Sequence, residues 1–111
     1  MFSTEKQGAV EVISGSVPIA GDHVEEVAQQ FDACLGSGQP MVVLDLSRVA
    51  FFDSVGLELL LEYSEHFALL GGDLRLAGAN PLCVDILKAT GLYTRFDVFT
   101  GHKEAVGSFS R

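Results

Sequence analysis

The sequence predicts an α/β fold: one domain built on a mixed sheet of four or five strands and packed with about four helices. Three observations carry this. Apolar runs of strand length alternate along the chain with amphipathic stretches of helical period. The most continuous run, Met41-Val42-Val43-Leu44-Asp45-Leu46, is apolar in both alternating registers, as a parallel strand buried on both faces is. Helix openings and endings carry Asp, Asn, Pro and Gly where caps belong. Strands that alternate with helices are joined by right-handed crossovers, which makes neighbouring strands parallel.

Each element follows in chain order. Residues 9–14 alternate like a half-buried strand, Gly15 interrupts them, and residues 16–20 read as a second strand or hairpin arm that Pro18 confines to an edge. Asp22 is expected to cap a helix with Glu25 as its capping-box partner, and Val24, Val27, Ala28, Phe31, Cys34 and Leu35 form its apolar stripe. Gly36-Ser37-Gly38 ends it. After the strand at 41–46, a second helix is expected from Phe51-Phe52-Asp53-Ser54 to about Leu70, closed by Gly71-Gly72. Residues 73–77 read as strand, and Asn80-Pro81 opens a third helix that Gly91 ends after Thr90. Residues 95–99 make one more strand, and 102–108 a short surface helix. The expected core is Val42, Leu44, Leu46, Leu57, Leu60, Leu61, Phe67, Leu74, Leu76, Ile86, Leu87 and Phe96.

Composition narrows the function. At 111 residues and 48% apolar content the chain suits one ordinary domain, taken as residues 1–111 with a core at about 8–108. Its formal charge of -8, from 15 acidic against 7 basic residues, repels phosphate backbones and anionic membranes. A protein partner with a basic face suits it better than nucleic acid. No apolar run reaches membrane-spanning length, and Met1-Phe2-Ser3-Thr4-Glu5-Lys6 has neither the basic start nor the apolar stretch of a secretory signal, so a cytoplasmic location is expected. Cys34 and Cys83 form no C-x-x-C pair and sit in amphipathic segments, as reduced core thiols do.

The segment around Ser54 is the one that points to chemistry. It sits where a strand passes into a helix, and the unpaired N–H groups of a helix start favour an oxygen there, and an anion more. Two readings stand for Ser54, a plain helix cap and a modified or recognised hydroxyl. At 100° per residue, Leu57, Leu60, Leu61, Ser64, Phe67 and Ala68 share one face, while Ser54, Glu58, Glu62 and Glu65 share the opposite one. Val55 and Leu59 lie at the edge, as apolar side chains of a docking surface would. The alternative for the glutamates is a solvated helix face. Asp53 either orients the serine or interacts with the helix start.

These residues resemble the STAS domains, and within them the bacterial anti-sigma factor antagonists, also called anti-anti-sigma factors. The resemblance is carried by Val43-Leu44-Asp45-Leu46-Ser47, Phe52-Asp53-Ser54-Val55-Gly56-Leu57, Gly71-Gly72 before a strand, and Thr90-Gly91-Leu92 with Phe96 downstream. It runs from about residue 8 to 108. It implies that the residue matching Ser54 is phosphorylated by the anti-sigma factor, itself a serine kinase, that only the unphosphorylated form binds that kinase and frees the sigma factor, and that a phosphatase restores it. Together with the helix face read above, it marks a candidate partner-binding surface of Asp53, Ser54, Val55, Gly56, Glu58, Leu59 and Glu62. The chain departs from the family with Val55 in place of a small residue after the serine, and with Ser16-Val17-Pro18 where Leu-Asp is common.

Enzymatic readings find little support. Ser54 lacks a Gly-x-Ser-x-Gly setting, and His23, His66 and His102 are expected on exposed helix faces. No metal-ligand spacing, P-loop or G-x-G-x-x-G element occurs, so no cofactor or metal is expected. Asp45 is expected to cap the turn at Ser47-Arg48. Three function classes remain in order: a phosphorylatable anti-sigma factor antagonist, an unphosphorylated STAS scaffold or regulatory subunit of a stress-signalling complex or lipid-transport ABC system, and a small enzyme.

Overall fold

The computed structural model describes residues 1–36 and 38–110, and its strands follow the alternation of the sequence. β1 (Phe2–Gln7) and β2 (Val10–Gly15) form an antiparallel hairpin turned at Gly8-Ala9, with Gly8 at φ 65°. Glycine takes that left-handed backbone without a Cβ penalty. β3 (Met41–Asp45), β4 (Asp73–Ala77) and β5 (Val98–Phe99) each pair parallel to the strand before them. The sheet therefore runs β1-β2-β3-β4-β5, mixed and five-stranded. Three helices make the crossovers, α1 (His23–Leu35), α2 (Ser54–Leu69) and α3 (Pro81–Ala89), and α4 (His102–Ser108) follows β5.

β3 divides two apolar layers because its residues alternate and all of Val42, Val43 and Leu44 are buried. Val42 and Leu44 join Ile13, Leu74 and Leu76 against Phe31, Leu60, Phe67 and Leu87 of the crossover helices. Val43 turns the other way, with Val10, Val12 and Ala77, and is covered by Ala105 of α4. This two-layer placement is what the uninterrupted apolar strand predicted.

Several local expectations are corrected. The hairpin partner of β2 is β1, not residues 16–20, of which Ile19 alone makes an isolated bridge to Phe52. The β1 residues Ser3, Thr4, Glu5 and Lys6 are exposed, so an edge strand there left no apolar alternation to read. Asp22 makes no side-chain cap, and its backbone is helical, because the turn bonds from His23 N to Ala20 O and Val24 N to Gly21 O already wind the chain ahead of α1. Its capping box with Glu25 therefore does not form. The strand expected at 95–99 shrinks to β5, since a 3-10 turn at Tyr93–Arg95 precedes it. Ile86 and Leu61 are half-buried where full burial was expected. The expected helix end at 36–38 includes Ser37, which lies outside the described residues.

Cys34 and Cys83 are free and buried. Burial, with the hydrogen bond that Cys34 Sγ donates to Glu11 Oε2 at 3.1 Å, pushes the Cys34 thiol up to about 12. It stays protonated at neutral pH, and only a thiolate reacts readily. Leu60 is completely buried between the sheet and its helix. Leu60→Ala is expected to cost about 2 to 5 kcal/mol and lower the thermal midpoint by roughly 10 °C or more, as read by circular dichroism.

Candidate functional site

The site begins with a backbone stitch. Ile19 N donates to Phe51 O at 3.1 Å and Asp53 N donates to Ile19 O at 3.3 Å, so the segment entering α2 is held like a short parallel bridge against the segment entering α1. Asp53 is extended, with φ -100° and ψ -177°, and is the N-cap of α2. Its Oδ1 accepts from Gly56 N at 2.8 Å and its Oδ2 accepts from Gly21 N at 3.0 Å. One carboxylate thus fixes two helix entrances. The Gly56 and then the Gly21 amide hold its carboxyl below the usual carboxylate range, because a hydrogen-bonded anion resists protonation.

Gly56 permits the stitch. A Cβ there would stand 2.1 Å from the carbonyl oxygen of Ile19 and 3.0 Å from its Cγ2. Backbone cannot yield as a flexible side chain can, so only glycine fits at this crossing.

Ser54, as the first residue of α2, is exposed and is not the cap. Asp53 takes that role, and the Ser54 hydroxyl holds no hydrogen bond among the described residues. Of the two readings for Ser54, the plain cap is the one this geometry removes. Down the same face Glu58, Glu62 and Glu65 are all exposed, with Glu65 Oε2 3.7 Å from Arg95 Nη2. Val55 is 55% exposed beside them.

Leu59 corrects the helical wheel. It was expected at the edge and is only 9% exposed, while Ala68, expected on the core face, is exposed. α2 has two neighbours to satisfy: Leu57, Leu60 and Phe67 face the core, and Tyr63 leans toward α1, its ring 5.0 Å from that of Phe31. The apolar arc is therefore wider than one face. A groove of about 340 Å³ is lined by Val24 of α1 and by Val55, Glu58, Leu59 and Glu62 of α2. Tyr63 Oη donates to Asp32 where the helices meet.

Five of the seven partner-surface residues named from sequence thus crowd the α2 start and groove rim, Ser54, Val55, Glu58, Leu59 and Glu62, with Asp53 and Gly56 behind them as supports. Val24 and Gly21 were missed as parts of this region. Val24 had an apolar stripe to explain it, and nothing local marks Gly21 as a donor to a carboxylate in another loop. Asp45 behaves as expected, its Oδ1 accepting from Ser47 N at 3.0 Å, and His102 Nδ1 lies 3.7 Å from its Oδ2. Among the described residues no cluster of three or more His, Cys, Asp or Glu is placed to hold a metal, and no helix is long and apolar enough to cross a membrane.

Comparison with known proteins agrees with the fold. The family model for the STAS domain matches residues 1–105. A Bordetella bronchiseptica protein described as an anti-sigma factor antagonist, BtrV, is 25% identical over 87 residues, covering 78% of this chain and 75% of that one. The crystal structure of a Thermotoga maritima protein described as an anti-sigma factor antagonist superposes with a TM-score of 0.90 at 20% identity, covering 99% of this chain and 95% of that one. The Bacillus cell fate determinant SpoIIAA in its phosphorylated form has a TM-score of 0.76 at 19% identity, covering 98% and 99% of the two chains.

Two substitutions test the support beneath Ser54. Asp53→Asn keeps a capping side chain but removes the charge. The Asp53 carboxyl sits lower in the folded chain than in the unfolded one, so its contribution is present above the unfolded value near ~3.9 and is lost as pH falls through the lower folded value. Wild type is expected to melt above the variant at neutral pH, and the gap is expected to close in acid. Gly56→Ala gains at most about 1 kcal/mol of helix propensity against roughly 1–3 kcal/mol of overpacking. Urea titration is expected to find it destabilised.

Proposed function

The chain belongs to the STAS domain family, and on that premise we propose that it is an anti-sigma factor antagonist switched at Ser54. In this reading the unphosphorylated chain binds an anti-sigma factor that is also a serine kinase, the sigma factor is freed, and phosphorylation of Ser54 by that kinase ends the interaction until a phosphatase reverses it. The observation that carries the reading is the division of labour at the start of α2: Asp53 caps the helix, so the exposed Ser54 hydroxyl is left available to a partner. The likeness to BtrV supports the antagonist role, and the likeness to SpoIIAA, known in a phosphorylated form, supports the modification.

The physics of the switch is local. Phosphoserine adds about -1.5 to -2 charges, and the positive end of a helix dipole accommodates part of that. The fold is therefore expected to survive modification. A like charge on the partner at about 4 Å opposes docking by ~1 kcal/mol in water-like surroundings and ~4 kcal/mol near a protein surface, roughly tenfold to a thousandfold in affinity. Ser54, Val55, Glu58 and Glu62 would meet the partner, Leu59 would floor the contact, and Asp53 with Gly56 would position the serine.

Intact-mass spectrometry of the chain purified from its native host, beside Ser54→Ala, tests this directly. An added phosphate that disappears only in the variant is the expected result. No phosphate under any growth condition would favour an unmodified scaffold or transporter subunit instead. Ser54→Glu is expected to weaken capture of the kinase at least about tenfold by calorimetry while its melting curve stays near that of wild type.

A further inference from the structure

The two helices that flank the groove, α1 and α2, contain no lysine and no arginine. Their acidic residues are Glu25, Glu26 and Asp32 on α1 and Glu58, Glu62 and Glu65 on α2. Three of these are met from within the chain: Glu26 by His23 and the N-terminal amine, Glu65 by Arg95, and Asp32 by the Tyr63 hydroxyl. Glu25, Glu58 and Glu62 are exposed and have no cationic partner among the described residues. Glu58 and Glu62 line the groove together with the apolar Val24, Val55 and Leu59.

We infer that this groove seats a basic amphipathic segment of the protein partner, with apolar side chains on Val24, Val55 and Leu59 and lysine or arginine against Glu58, Glu62 and Glu25. The inference rests on the reading of the chain as an antagonist and adds the chemistry of what it holds. Charge and shape select the occupant together. An anionic lipid or nucleic acid is repelled by the glutamates, a purely cationic ligand leaves the apolar lining wet, and an amphipathic helix satisfies both through side chains spaced three and four residues apart. A volume of about 340 Å³ admits a few side chains of such a segment.

The groove also separates two contacts. Phosphate on Ser54 would attract a basic segment, so a switch that releases the partner must act through the surface directly facing Ser54. The groove segment is the constant part of the interaction, and the serine contact is the part that is switched.

Titration of the isotope-labelled chain with a synthetic amphipathic Lys/Leu helix, followed by NMR, tests the groove. Shift changes are expected to concentrate at Val24, Val55, Glu58, Leu59 and Glu62, with a scrambled peptide of the same composition binding at least about tenfold more weakly. The double variant E58Q/E62Q, altered only at exposed positions, is expected to weaken binding about 3- to 10-fold at low salt. Shifts spread over acidic residues of other faces, equal binding of the scrambled peptide, or an unaffected double variant would each overturn the inference. The titration contains no anti-sigma factor, so its failure is distinct from a failure to capture the kinase.

Discussion

The carboxylate of Asp53 is the constraint on which the junction of α1 and α2 depends. It accepts one amide from its own helix and one from the loop entering α1, so a single side chain fixes both the start of α2 and the relative position of two crossovers. The backbone bonds of Ile19 and the missing Cβ of Gly56 make the same junction tight. Preorganisation would matter to a partner that recognised Ser54, because a serine hydroxyl is small. A partner reading one hydroxyl needs it at a fixed place, and a rigid scaffold supplies that at lower entropic cost than a mobile loop.

Much of this was legible in the sequence, and the exceptions have physical reasons. β3 was plain because Val42, Val43 and Leu44 leave no polar face, and α3 was plain because Asn80 and Pro81 each do something only a helix start rewards, with Asn80 Oδ1 accepting from Cys83 N at 2.8 Å. β1 was hidden because an edge strand buries little beyond Phe2. The wheel for α2 misplaced Leu59 because a single apolar face presumes one neighbour, and this helix has the sheet below and α1 beside it. Ser54 was singled out by its setting, but that Asp53 rather than Ser54 caps the helix is a matter of φ and ψ that residue types alone do not fix.

Acidity plays two parts in the molecule. Over most of the surface it keeps a strongly negative chain dispersed. Along α1 and α2 it is concentrated without intervening lysine or arginine, and there the proposed function would use it as recognition chemistry beside apolar side chains.

The strand order β1-β2-β3-β4-β5 is also the order of synthesis. Each new strand joins an edge that its predecessor has already completed, so no early strand waits for a late one to be inserted between its neighbours. A ribosome extruding this chain delivers the strands in the order in which they lie in the sheet, while the face of Val10, Val12, Val43 and Ala77 waits for α4, the last element, to cover it.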